Sequence, residues 1–124
     1  MAVDFGGQDI TTVSGADLSA KRFYAVTMET TGKIALANSA GERCIGVLQN
    51  APSADGKLAR VRVGGVSKVV VAAAINPGVE LSATSAGKFG SATAGHYVMA
   101  IALEASGADG DIIRVLLTNY QKNA

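Results

Sequence analysis

The chain has one cysteine, Cys44, and one histidine, His96, so a Cys-His dyad is the one such nucleophile–base pair its composition permits. An internal repeat, set out below, argues against that use. Cys44 aligns there with Val98, which marks it as an apolar packing position, and a buried thiol of that kind is inert. His96 aligns with Glu42, at the exposed start of a strand. Among the carboxylates only Asp109-Gly110-Asp111 is clustered, and it resembles the start of a calcium loop. It lacks the further oxygen ligands and the distal Glu that such a loop needs, so Asp109 reads as a turn residue, like Asp55 in the other copy. Gly6-Gly7 and Gly64-Gly65 are followed by no phosphate-loop spacing. Arg60, Arg62 and Arg114 make a small positive patch on an outward face. With no aromatics interleaved, the patch suits solvated strands or salt bridges between subunits better than nucleic acid. The residues therefore predict no catalytic site, no metal and no cofactor.

The background composition agrees. Eleven Lys and Arg stand against 10 Asp and Glu, which leaves no basic footprint for nucleic acid and no charged run for a membrane surface. The 124 residues fit one domain. The mean hydropathy of +0.28 is high for a chain of this size, and predicts burial of apolar surface against copies of itself or a partner. A single cysteine excludes an internal disulfide and a cysteine cluster for zinc. No secretory signal is expected at the N-terminus. The longest apolar stretch, Val66 to Ile75, is broken by Ser67 and Lys68 and falls far short of the roughly 20 residues of a membrane span. Synthesis in a reducing cytoplasm and a soluble product are expected.

The elements that must position these residues come in two copies. Thr27 to Val63 and Ser82 to Leu117 share four landmarks in the same order. Gly32-Lys33 matches Gly87-Lys88 at an offset of 55 residues. Gly41 with Gly95, Asp55-Gly56 with Asp109-Gly110, and Arg60-Val61 with Arg114-Val115 match at an offset of 54. Two copies are too few for a solenoid and suit one domain built of two similar β units, about 24–63 and 79–117. Period-two alternation predicts a strand from Lys57 to Val63, with Ala59, Val61 and Val63 on one face. In the second copy Ile113, Val115 and Leu117 take that face. Earlier strands are predicted at Phe23 to Met28, Ile34 to Ala37 and Arg43 to Leu48, then at Val79 to Ala83 and Tyr97 to Leu103. The Asp-Gly pairs supply the turns. Val66 to Ala74 reads as a linking strand, briefly helical at Ala72-Ala73-Ala74, before the Asn76-Pro77-Gly78 turn. Residues 1–13 are expected as a flexible arm and 14–124 as the domain. Ile112 and Leu116 lie on the outer face of the last strand, where the first copy has Arg62, and so predict a contact with another subunit.

The stretch Arg60 to Tyr120 resembles the capsid cement, or head decoration, proteins of tailed bacteriophages. Their pattern includes an I-x-x-G-x-x-V turn, here Ile75-Asn76-Pro77-Gly78-Val79 with Val79 directly after the glycine, a Gly-rich hairpin, and a final G-x-A-L…-G-D-x-V-x-V-x-L segment. That segment is here Met99-Ala100-Ile101-Ala102-Leu103 followed by Gly110 to Leu117, with Met99 in place of the glycine. Ala25 to Leu48 is also similar. The resemblance implies a small β-barrel or β-tulip-like domain that assembles as a homotrimer on the outer surface of the virion capsid. Its partners would be itself and the major capsid protein, with neither nucleic acid nor membrane, after synthesis in the host bacterial cytoplasm. It further implies an N-terminal segment that contacts the shell or a neighbour, with Val3, Phe5 and Ile10 as its apolar anchors. A second reading is a small carbohydrate- or ligand-binding β module, which the absence of Trp disfavours.

Overall fold

A computed structural model describes residues 7 to 122. The chain is mainly β, as expected, and contains no helix among those residues. In order, the strands are β1 (Gly7–Ser14), β2 (Ala25–Met28), β3 (Lys33–Leu36), β4 (Gly46–Leu48), β5 (Leu58–Val70), β6 (Glu80–Ala83), β7 (Phe89–Ser91), β8 (Tyr97–Ala102) and β9 (Ile112–Gln121). Their Val, Ile and Thr content favours extended backbone, and Gly at each Asp-Gly turn takes the positive φ expected there: +89° at Gly56 and +91° at Gly110.

The nine strands form one sheet in the order β1-β3-β2-β4-β5-β9-β8-β6-β7. β1 pairs with β5 as well as β3, so the first five strands come round on themselves. On the other side, Val71, just past β5, bridges to Phe89 of β7 and nearly repeats the closure. The result is a single sheet with partial rings, and nothing in it defines a closed barrel or a tulip.

Similar bonds recur at positions that the sequence matched. Lys33 reaches Asp55 at 2.8 Å, and Lys88 reaches Asp109 at 2.8 Å. The amide of Arg60 donates to the Asn50 side chain, and the amide of Arg114 donates to Glu104. Gly15 donates to the Ile34 carbonyl, and Ala72 to that of Phe89. In one unit β5 is the last strand, beside β4; in the next it is the first, beside β9. One strand thus serves both copies.

The core follows the same plan. A smaller cluster holds Val26, Ile34, Leu48, Ala59 and Val61 from the first unit, with Leu18 from the segment before it. The larger cluster mixes the units, with Ala25, Ala37, Cys44 and Val47 packed among Leu81, Phe89, Val98's neighbours Met99 and Ala100, and Val115. Gly41 and Gly87 also cross the boundary. The Gly41 amide donates to Ala83 and its carbonyl accepts from Tyr97, while the Gly87 carbonyl accepts from Ala25. A Cβ on Gly41 would strike the His96 ring, and one on Gly87 would strike Leu36.

Three expectations change. The stretch read as an arm up to Val13 is, from Gly7 onward, strand β1, paired along β5. Its signal was hidden because its one isoleucine, Ile10, is exposed and its pairing is carried by backbone bonds, not by an apolar stripe. The strands read at Lys57 to Val63 and Val66 to Ala74 are one 13-residue strand that runs through Gly64-Gly65, with Gly65 at φ +86°. Val63 is consequently exposed instead of facing the core with Ala59 and Val61. Ala72 to Ala74 form a bend and a loop rather than a helical turn, because Ala72 donates to β7.

Candidate functional site

Cys44 and His96 do not meet as a dyad. Cys44 is buried, its thiol lies 3.6 Å from the Glu42 carbonyl, and burial pushes its pKa up to about 12. His96 does what Glu42 does in the other copy. Glu42 Oε1 accepts the amides of Asn38 and Ser39, and His96 Nδ1 accepts the amide of Thr93. The Ser82 hydroxyl lies 3.0 Å from the same Nδ1, and the Thr93 hydroxyl lies 3.1 Å from Nε2. Ser82–His96 is a contact that sequence reasoning missed. Ser82 is buried and a Thr hydroxyl, not a carboxylate, lies beside the ring's other nitrogen, so the pair fastens strand β6 to the turn before β8 and lacks the parts of a nucleophile–base set. Asp111 spends its carboxylate on the amides of Gly107 and Ala108, and Asp109 spends its own on Lys88. Among the described residues no group of three or more His, Cys, Asp or Glu could hold a metal ion.

The strongest concentration of chemistry is a groove of about 370 Å³ where β5 passes from one unit to the other. Arg22, Arg60, Arg62, Lys68 and Arg114 line it, five of the chain's eleven Lys and Arg residues. Arg60 and Arg62 come from the first half of β5 and Lys68 from the second. Arg114 stands opposite Lys68 on β9. All project from the outward face, because Ala59, Val61, Ser67 and Val69 take the inward one. Gln49 and Ser67, both buried, are also among its lining residues and bond to each other at 2.9 Å.

The walls are held in place. Arg62 reaches Asp9 at 2.7 Å and donates a second bond to the Val66 carbonyl. The same Asp9 lies 3.4 Å from Arg60, and the Arg62 bond, foremost, holds its carboxyl below the usual carboxylate range. Arg114 has Glu104 at 3.6 Å. Arg22 donates to the Gln49 carbonyl and stacks over Phe23, its guanidinium carbon 4.8 Å from the ring centre. Phe23 sits at φ +70°, a left-handed conformation costly for an aromatic residue, where its amide and carbonyl are fixed by Leu48 and Val70. The sequence pointed to Arg60, Arg62 and Arg114. It missed Arg22, which a loop carries in, and Lys68, whose even position along one continuous strand was the available signal.

The residues expected at contacts fall as follows. Ile112 and Leu116 are half exposed on the outward face of β9, about 13 Å apart along the strand, with Arg114 between them. Leu116 stands in a row with Val66 on β5 and Ile101 on β8, and Ile112 stands opposite Val70. Ile10 is exposed on β1, far along the chain from both. Val3 and Phe5 lie outside the described residues.

These features describe an all-β scaffold with a groove lined by five Lys and Arg residues. The chain belongs to the phage cement protein family, which it matches over residues 5–117. Membership gives it a structural part in a phage head. No curated protein sequence matches it. Its fold is similar to the crystal structure of the head fiber gp8.5 N base of bacteriophage phi29. That likeness has a TM-score of 0.64 at 17% identity, over 90% of this chain and 93% of the other.

Proposed function

We propose that the protein is a capsid cement that sits on the outer surface of the phage head as a homotrimer and ties neighbouring major capsid proteins together. The family match across residues 5–117 carries the reading, and the fold shared with a head fiber base supports it. A cement needs many identical weak contacts engaged at once, so avidity replaces a tight single interface. The row Val66-Leu116-Ile101, with Ile112 beyond Arg114, is the apolar surface proposed for the subunit contact. Ile10 on β1, with Val3 and Phe5 before it, is proposed to contact the shell or a neighbouring subunit.

The test combines solution mass with head binding. A trimer of this 12.5 kDa chain scatters light as three times that mass. Ile112→Ser with Leu116→Ser is expected to lower the mass while circular dichroism stays unchanged. A wild-type mass of one subunit at every concentration would refute the solution trimer. Expanded heads that take up no protein would refute the cement role itself.

A further inference from the structure

We propose that the basic groove over β5 is a docking site for a carboxylate-rich segment of a neighbouring head protein. For the source of that segment the inference rests on the cement reading; for the chemistry it rests on the groove.

The chain as a whole is nearly neutral, at net +1, yet five cations converge here. Among the described residues only Asp9 and Glu104 form ion pairs with them. The positive excess sits on Arg22, Arg60 and Lys68. Arg60 is half exposed, Lys68 is exposed and makes no ion pair among the described residues, and the guanidinium of Arg22 is steered by one carbonyl and one ring. Like charges gathered in one concavity repel each other, and an incoming anion relieves that repulsion. Partners already bonded to carbonyls and to Phe23 are ordered before any ligand arrives, which lowers the entropy cost of binding. Arg forks match carboxylates in pairs, and arginine clusters are a recurrent means of gripping acidic protein segments. Polynucleotide binding would call for aromatic faces on which bases stack. The one ring on the groove, Phe23, is already covered by Arg22. A carboxylate-bearing peptide is therefore the occupant the groove fits.

The test titrates a fluorescently labelled octaglutamate peptide into the full chain at low salt and reads anisotropy. The groove variant is Arg60→Glu with Lys68→Glu. Its control is Arg43→Glu with Lys57→Glu, which makes the same change in net charge at exposed sites outside the groove. Circular dichroism checks that both fold. The expected result is binding by wild type and control, and a loss of at least about tenfold in the groove variant, beyond what net charge explains. Equal loss in both variants, or no binding by the wild type, overturns the site. Tighter binding of a labelled dT8 oligonucleotide than of octaglutamate overturns the choice of a protein segment.

Head binding is scored separately. Heads that take up wild type but not the groove variant support the docking role. Heads that take up both equally overturn it and leave the cement role standing. Heads that take up neither the wild type nor the variants overturn the cement role, and the peptide titration then decides the groove alone.

Discussion

Removing the ring of Phe89 tests whether the two units unfold as one. Phe89 is almost fully buried in the larger cluster, which also holds Ala25, Ala37 and Val47 of the first unit and Leu81 and Val115 of the second. Deleting a buried Phe ring costs about 3–5 kcal/mol. For 124 residues, an unfolding entropy of about 2.1 cal/mol/K per residue gives about 0.26 kcal/mol/K, so Phe89→Ala lowers Tm by about 12–19 °C. Its counterpart is Ile34, fully buried in the smaller cluster, and Ile34→Ala costs about 2–5 kcal/mol. Because the larger cluster and strand β5 span both units, each variant is expected to shift the whole molecule in one transition. Far-ultraviolet circular dichroism and tyrosine fluorescence, followed through heat and urea at one fixed protein concentration, are expected to coincide, with an unchanged urea slope. A Phe89→Ala protein that melts in two steps, the earlier one sparing half the β signal, would refute the reasoning and make the units independent.

Two further outcomes follow from particular side chains. Asp9→Asn removes the charge that Arg62 grips at 2.7 Å and is expected to destabilise the protein by about 1.5–3 kcal/mol near neutral pH. Because the folded-state pKa of Asp9 lies below its ordinary 3.8, its contribution is full above that value and lost as pH falls through the lowered one. Melting curves of wild type and variant should therefore draw together as pH falls below 3.8, and a gap that does not narrow there would contradict the assignment. Cys44, buried and with its pKa near 12, is expected to react with a disulfide reagent only on unfolding. Rapid labelling of the native protein at pH 8 would show that the thiol is accessible.

Much of this fold was legible because the repeat constrained it twice. The Asp-Gly turns, the Lys33 and Lys88 positions and the inward faces of Ala59, Val61, Ile113 and Val115 each had a counterpart to check against. The alignment paired His96 with Glu42, but that both accept backbone amides was seen only in the structure. β1 was not legible, since a strand stabilised by Asp9, backbone pairing and two threonines carries no apolar period. The continuity of β5 was masked by Gly64-Gly65, a pair that reads as a break and here is a twist within one strand. The groove was half legible. Arg60, Arg62 and Arg114 lie on predicted strands, but bringing Arg22 to them depends on a left-handed Phe23 that no spacing rule anticipates.

The shared strand also has a mechanical meaning. β5 is bonded to β1 from Leu58 to Gly65 and to β9 from Val66 to Val70. A pull along its axis loads those bonds side by side, in shear, so they must give way together. A pull across it would open them one after another, as a zipper does. Single-molecule stretching between Leu58 at the start of β5 and Ile112 at the start of β9, which lies beside the far end of β5, should therefore meet a higher rupture force than a pull across the strands.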